Sequence, residues 1–335
     1  MNMKSSQFVL ASRPIGLPSS NNFRTEKITL SALKDNEVLL KSWYISVDPY
    51  MRGRMNDVKS YAASFEVDLP IRGGIVAKVI ESKSKSVLAG DTVVGMLPWA
   101  TYSIEKAENL RKVDISNVPP GYYLGILGMP GFTAYFGMME IGKPEKGETV
   151  VVSGAAGAVG IVAGQLAKMQ GSRVIGIAGS DEKCRLLKEQ FGYDEAINYK
   201  TSKSIRKEIA VLCPEGVDVY FDNVGGEITE AVVANLDFHA RFALCGQISQ
   251  YNNAKPYVGY SILPHLLTRS VLLQGFIVSN YSDRFGEALS HLTRWLKEGK
   301  LKYTETIIEG FDKLPDAFLG LFSGRNQGKM LIKTE

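Results

Sequence analysis

Apolar residues recur with two different periods along this chain, and the change falls near residue 148. Up to about residue 125 the apolar runs are short and rich in β-branched residues, at 27–30, 37–47, 73–82 and 92–95. They are cut by turn formers, Asp48-Pro49, Gly53, Pro70, Gly73-Gly74 and Gly90-Asp91. Short strands at uneven spacing predict a partly open β-barrel. Residues 131–141 read as helix and mark the crossing into the second pattern. From Glu148 onward strand and helix alternate. Strands are predicted at 149–152, 173–178, 196–199, 217–222, 240–245 and 271–278. A helix from Ala158 carries Val159, Val162, Ala163, Leu166 and Ala167 on one face and stops at Gly171. Further helices are predicted at 202–213, after Gly225-Gly226, and at 281–298, where Phe285, Leu289, Leu292 and Leu296 form an apolar stripe. Repeated β-α units predict a parallel sheet with helices on both faces. The tail returns to a mixed pattern, with a helix over 311–322 and a strand over 329–333 that can complete the first β domain. The chain is thus α/β with two domains, 1–125 completed by 303–335, and 126–302.

The first β-α turn carries the chemistry. It reads Gly154-Ala-Ala-Gly157-Ala158-Val159-Gly160. Glycines between a strand and a helix let the backbone approach a pyrophosphate, which then faces the first N–H groups and the positive end of the helix dipole. The spacing G-x-x-G-x-x-G departs from the dinucleotide fingerprint G-x-G-x-x-G, and glycines also serve close packing. The flanking strand and helix favour the nucleotide reading. A cofactor with a free 2′-hydroxyl calls for a carboxylate at the end of the second strand. Here that strand ends Ile177-Ala178-Gly179-Ser180, Asp181 comes late, and Lys183 and Arg185 follow. Cations there suit a 2′-phosphate, so NADP is favoured over NAD. Other strand ends offer small and polar residues for the rest of a dinucleotide: Tyr199, Asn223, the run Cys245-Gly246-Gln247-Ile248-Ser249, and Phe276-Ile277-Val278.

Composition narrows the alternatives. At 335 residues with 45% hydrophobic and 22% charged residues, the chain is an ordinary globular sequence long enough for two cores. A net charge of +4 with no basic run argues against a nucleic-acid partner. No apolar segment is long enough for a membrane span, and the N-terminal residues lack the apolar core of a signal peptide, so a cytoplasmic location is expected. Three scattered cysteines, Cys184, Cys213 and Cys245, and three histidines, His239, His265 and His291, show no metal-ligand spacing, so no metal is expected.

Several blocks together resemble a family. Ser46-Val47-Asp48-Pro49-Tyr50-Met51-Arg52-Gly53, Gly128-Met-Pro-Gly-Phe-Thr-Ala-Tyr135, the glycine turn, Phe221-Asp-Asn-Val-Gly-Gly226, Gly275-Phe276 and Gly324-Arg-Asn-Gln-Gly-Lys329 resemble zinc-independent medium-chain dehydrogenases/reductases. Within them the chain is similar to the leukotriene B4 dehydrogenase, prostaglandin reductase, plant alkenal reductase and curcumin reductase branch. The resemblance implies a GroES-like β-barrel domain beside a doubly wound Rossmann domain, and a homodimer. It implies NADPH-dependent reduction of the C=C bond of small apolar α,β-unsaturated ketones and aldehydes. By motif position, Gly157, Ala158, Val159 and Gly160 would hold the pyrophosphate and Lys183 the 2′-phosphate. Tyr199 and Asn223 would lie along the adenosine and ribose side. Cys245 through Ser249, Tyr251, Phe276, Ile277 and Val278 would flank the nicotinamide, and Asn326 would reach the cofactor from the tail. Plant and mammalian members carry a pocket tyrosine where Thr268 stands, whereas curcumin-reductase-like members carry one that matches Tyr61. Tyr61 is therefore the expected hydroxyl donor to the substrate oxygen, with Tyr50 lining the pocket. Two other readings are a quinone reductase on the same fold and an NADPH-binding regulatory protein without turnover.

Overall fold

The computed structural model describes residues 3–334, and their contacts divide them into two units. The first takes residues up to Leu124, then Glu305–Asn326 and the chain from Met330. The second takes Gly125–Thr304 and Gln327–Lys329.

In the first unit, β1 (Lys4–Leu10) pairs antiparallel with β2 (Phe23–Thr29). The long strand β3 (Glu37–Ser46) is followed by the single helical turn α1 (Met51–Arg54). Then come β4 (Arg72–Ser82), β5 (Thr92–Pro98), β6 (Tyr102–Lys106) and β7 (Arg111–Lys112). Gly73, near the start of β4, packs closely, with the Met51 methyl 2.5 Å and Trp99 Nε1 3.1 Å from where a Cβ would stand.

The second unit opens with α2 (Met129–Phe136), whose last turn widens into a π-type turn, Gly137–Gly142. Its parallel strands are β8 (Thr149–Ser153), β9 (Arg173–Ala178), β10 (Glu195–Asn198), β11 (Val217–Asp222), β12 (Leu236–Leu244) and β13 (Leu272–Gly275). They are crossed by α3 (Gly160–Met169), α4 (Asp181–Phe191), α5 (Ile205–Leu212), α6 (Gly226–Val233) and α7 (Leu263–Thr268), and followed by α8 (Phe285–Lys297). The strand order is β10-β9-β8-β11-β12-β13. The direction of winding reverses between β8 and β11, the place where such sheets bind nucleotides. Val150, Val151 and Val152 are fully buried in the middle of this sheet, as expected for a strand covered on both faces.

The tail adds β14 (Glu305–Glu309), α9 (Leu314–Phe322) and β15 (Lys329–Lys333). β15 pairs with β3 through Leu331 opposite Ser46, so the tail completes a seven-stranded sheet, β14-β15-β3-β4-β5-β7, with β6 also on β3. Phe318 and Leu321 of α9 sit in the same core as Trp99, Val47 and Met51.

Several boundaries differ from expectation for local reasons. The sixth strand spans only Leu272–Gly275, because the chain turns at Val278 into a 3₁₀ segment that runs to Arg284. α8 accordingly begins at Phe285, and α3 begins at Gly160 because Ala158 and Val159 still belong to the turn. β1, β6, β7, α7 and β14 were not foreseen; β1 is paired along its whole length with β2, a partner its own mixed pattern does not disclose.

Candidate functional site

The glycine turn is built by contact. Gly154 sits at φ +57°, and Ala155 donates to Ile177 O at 3.1 Å, which ties the turn to β9. Gly157 donates to Gly154 O at 3.0 Å. A Cβ on Gly160 would stand 2.5 Å from Gly154 O and 2.6 Å from the Ala155 Cα, so the first residue of α3 must be glycine. Gly157 has more room: its Cβ would meet only Gly154 O, at 3.2 Å. Among the described residues, no hydrogen bond engages the N–H of Ala158 or Val159. Two adjacent donors without acceptors, half-exposed at the positive end of a ten-residue helix, suit an anion. The tail closes the other side of the turn: Gly328 bridges to Gly157 and donates to Ala156 O at 2.8 Å. Gln327 Nε2 donates to Glu182 Oε1 at 2.8 Å, and Asn326 directly precedes it in the chain.

At the end of β9 the helix α4 is capped by Ser180, whose Oγ accepts from the Lys183 N–H at 3.2 Å. Asp181, the acid closest to the strand end, accepts from Asn198 Nδ2 at 2.7 Å and so holds β10 in place. The Lys183 side chain is half-buried. Burial pulls its ammonium below the usual lysine range, and the nearby Lys200 adds to that effect. Two cations brought together, one of them partly desolvated, favour an anion of high charge. Lys200 was missed in the sequence, where nothing marks it off from Lys203 or Lys207; only the pairing of β9 with β10 brings it beside Lys183. The Tyr199 ring lies against Gly179, where a Cβ would come within 3.1 Å of the ring.

Across the switch point one buried carboxylate organises the strand ends. Asp222 is fully buried; Oδ1 accepts from Ser153 Oγ at 2.7 Å, Val224 N at 2.9 Å and Gly225 N at 3.1 Å. Oδ2 accepts from Thr229 Oγ1 at 2.5 Å. Ser153 Oγ in turn accepts from Asn223 N at 2.9 Å, and Asn223 Nδ2 donates to Ser153 O at 2.8 Å. Asn223 is thereby fixed at the mouth of β8 and β11. The backbone carbonyl of Asp222 accepts from Cys245 at 2.9 Å and Gly246 at 3.0 Å, which turns the end of β12 toward the same place. Ser249 donates to Val224 O from both its N–H, at 3.0 Å, and its Oγ, at 2.6 Å. Gln247 N donates to Tyr251 Oη at 3.3 Å, and the intervening Ile248 is half-buried. Burial and Asp222 push the Cys245 thiol up to about 12. Phe276 is buried edge-on to Phe221 at 6.4 Å, leaving Ile277 and Val278 half-exposed after it.

In the first unit Tyr50 is half-buried just before α1, and Tyr61 stands 61% exposed in the following loop. Burial first, and the Asp48 carboxylate second, push the Tyr50 phenol well above the usual tyrosine range. Asp48 is itself buried and accepts a short hydrogen bond from Ser46 Oγ. Thr268 closes α7 by donating to Pro264 O at 2.8 Å, so its hydroxyl is spent on the backbone. Among the described residues, no group of three or more His, Cys, Asp or Glu side chains is placed to hold a metal.

These features define a nucleotide-dependent oxidoreductase of the two-domain kind, and comparison with known proteins gives the family. Residues 6–113 match the family model for the N-terminal domain of oxidoreductase, and 158–294 match that for zinc-binding dehydrogenase. NADPH-dependent curcumin reductase of Escherichia coli is 40% identical over 98% of this chain and 96% of its own. The NADP(+)-dependent 2-alkenal reductase of Nicotiana tabacum is 43% identical over 97% and 96%. The crystal structure of CurA from Vibrio vulnificus in complex with NADPH superposes with a TM-score of 0.93 at 41% identity, covering 98% of this chain and 99% of that one. The chain belongs to the zinc-independent medium-chain dehydrogenases/reductases, in the branch that holds curcumin, 2-alkenal and prostaglandin reductases.

Proposed function

We propose that this protein uses NADPH to reduce the C=C bond of small apolar α,β-unsaturated ketones and aldehydes. The observation that carries the cofactor is the pair of acceptor-less N–H groups at Ala158 and Val159, on a turn whose glycines admit no side chain at Gly160. The residues present fit such a group. Ala158 and Val159, with Gly157 and Gly160 shaping the turn, hold the pyrophosphate. Lys183 and Lys200 hold the 2′-phosphate, with Tyr199 beside them. Asn223, set by Ser153 and Asp222, orients a ribose. Cys245 through Ser249, Tyr251 and Phe276 through Val278 line the nicotinamide end, and Asn326 approaches from the tail. NADPH, when bound, supplies a hydride. The first unit supplies hydroxyl donors to the substrate oxygen, Tyr61 foremost and Tyr50 with it, because charge gathers on that oxygen as the conjugated bond is reduced. The second unit is the cofactor domain and the first the substrate domain.

Two further parts of the reading concern the molecule's setting. The protein is a homodimer. Supporting this, β13 has a strand on one side only, and Leu263, Leu267 and Leu272 around it are 68%, 81% and 57% exposed. It works in the cytoplasm, where its three free thiols persist; among the described residues no helix is long and apolar enough to cross a membrane.

The test is NADPH oxidation over a panel of enals, enones and quinones, with NADH in parallel and products identified. A saturated ketone or aldehyde supports the reading; a hydroquinone alone makes the protein a quinone reductase, and binding without oxidation makes it a regulatory protein. Tyr61→Phe should lower kcat on enones about tenfold to a thousandfold with NADPH affinity unchanged, and wild-type turnover would remove Tyr61 from the reaction.

A further inference from the structure

The chain leaves β13 through Phe276, Ile277 and Val278, the three residues proposed above for the nicotinamide end, and enters the 3₁₀ segment that runs to Arg284. This stretch does little to hold itself. The Asn280 N–H donates to Ile277 O at 2.9 Å, but helical geometry breaks at Tyr281, with φ −115° and ψ 20°. Its place is set from outside, along the π-type turn Gly137–Gly142. At the near end the Phe276 ring packs on that turn: a Cβ on Gly137 would stand 2.5 Å from Phe276 Cζ. In the middle the Tyr281 ring stacks on Phe136, the residue before the turn, with centroids 4.6 Å apart and planes within 3°. At the far end Arg284 Nη2 donates to Glu140 Oε1 at 2.7 Å. Arg284 also grips the start of α8, with Nε donating to Glu287 Oε2 at 2.8 Å and Nη2 to Glu287 Oε1 at 3.0 Å. Glu287 Oε1 accepts in turn from Tyr135 Oη of α2 at 2.8 Å. One guanidinium, with its several directed donors, thus joins the segment both to the π-type turn and to α8.

We propose that Arg284 is a positioning residue for hydride transfer: its bond to Glu140 fixes the 3₁₀ segment on the π-type turn and so sets where Phe276, Ile277 and Val278 stand against the nicotinamide. This rests on the enone-reductase reading above. Arg284 acts through those three residues and not on the reacting atoms. Its side chain keeps 39% of its area exposed and that of Glu140 keeps 32%, and ion pairs this open to water add little to overall stability. What the pair fixes is location. The proposed grips on the pyrophosphate and the 2′-phosphate lie elsewhere, at α3 and at the ends of β9 and β10. A slack segment therefore loosens the nicotinamide end without releasing the cofactor. Placement of the reacting atoms is steeply felt, and an error of about 1 Å costs on the order of a hundredfold in rate.

The experiment compares Arg284→Met, Glu140→Met and the double variant with wild type. Three quantities are read: the single-turnover rate of hydride transfer from NADPH to an enone, the Kd for NADPH from fluorescence titration, and amide hydrogen exchange over residues 277–284. Arg284→Met should slow hydride transfer by about tenfold or more and leave the Kd within about twofold. Exchange over 277–284 should be about fivefold faster or more. Glu140→Met should slow hydride transfer by about threefold or more, and adding it to Arg284→Met should cost less than about a further twofold, since both remove one tie. A wild-type hydride-transfer rate or wild-type exchange in Arg284→Met would overturn the proposal. So would losses that multiply in the double variant, or a Kd that rises as far as the hydride-transfer rate falls, the mark of general disorder in the domain. If Arg284→Met does not fold, Glu140→Met decides on its own rate, Kd and exchange. A wild-type protein that oxidises NADPH with no enone refutes the functional reading, and exchange over 277–284 then still decides whether Arg284 fastens the segment.

Discussion

In the proposed cofactor site, Lys183 is the side chain that would set the choice between NADPH and NADH. Its ammonium is partly buried beside Lys200, with Glu182 opposing part of that repulsion, and a dianion there would favour its charged form further. Lys183→Ala should raise KM for NADPH by about tenfold to a hundredfold and leave KM for NADH within about twofold. The pH dependence follows from the same cause. The cationic form binds phosphate, and burial lowers the pKa, so preference for NADPH over NADH should decline with rising pH below the ordinary lysine range. Initial-rate measurements with both cofactors between pH 7 and about 10 check it. Asp222 has the opposite character, a buried anion already satisfied by four donors. Asp222→Ala leaves those donors buried without an acceptor and should cost about 3–5 kcal/mol of stability, read by urea denaturation.

At the scale of elements, the turn into α3 is a packing joint as well as the proposed pyrophosphate site. Gly160→Ala places a methyl against Gly154 O and the Ala155 backbone, neither of which can yield without moving β8. It should destabilise the protein by about 1–3 kcal/mol and weaken NADPH binding together, seen as a lower Tm and a raised Kd. Much of this element was legible from sequence, because a β-branched strand, small residues and a helical stripe lie consecutively at 149–167. What was not legible is the work of residues paired across the fold. Ser153 and Asp222 meet through adjacent strands, Lys183 and Lys200 through β9 and β10, and the tail's Gly328 through a bridge to Gly157. No local period encodes such meetings. β1 escaped notice for the same reason, since its order comes from full pairing with β2.

At the scale of the whole molecule, the exposed side of β13 is the feature that asks for a partner. A strand with one unsatisfied edge and leucines at its margins aggregates unless something orderly covers it. If the protein is the proposed homodimer, Leu267→Lys with Leu272→Lys should shift it to monomer in sedimentation velocity while leaving the far-ultraviolet circular dichroism unchanged. A protein already monomeric at micromolar concentration would remove the homodimer from the proposed function. The two units also differ in how the chain supplies them. The second is continuous from Gly125 to Thr304 except for three residues, Gln327–Lys329, that arrive after α9.

That late arrival gives the glycine turn a birth order. Strand β8 and helix α3 leave the ribosome long before Gly328 exists to bridge Gly157 and bond Ala156. At a synthesis rate of about 5–20 residues per second, the glycine turn spends on the order of ten seconds without its final clasp. A nascent chain therefore carries the glycine turn without its Gly328 contacts, and the site proposed for the cofactor is complete only when the last segment has been made. Truncated chains that stop before the tail would hold every glycine of the turn and still lack the Gly328 contacts that close it.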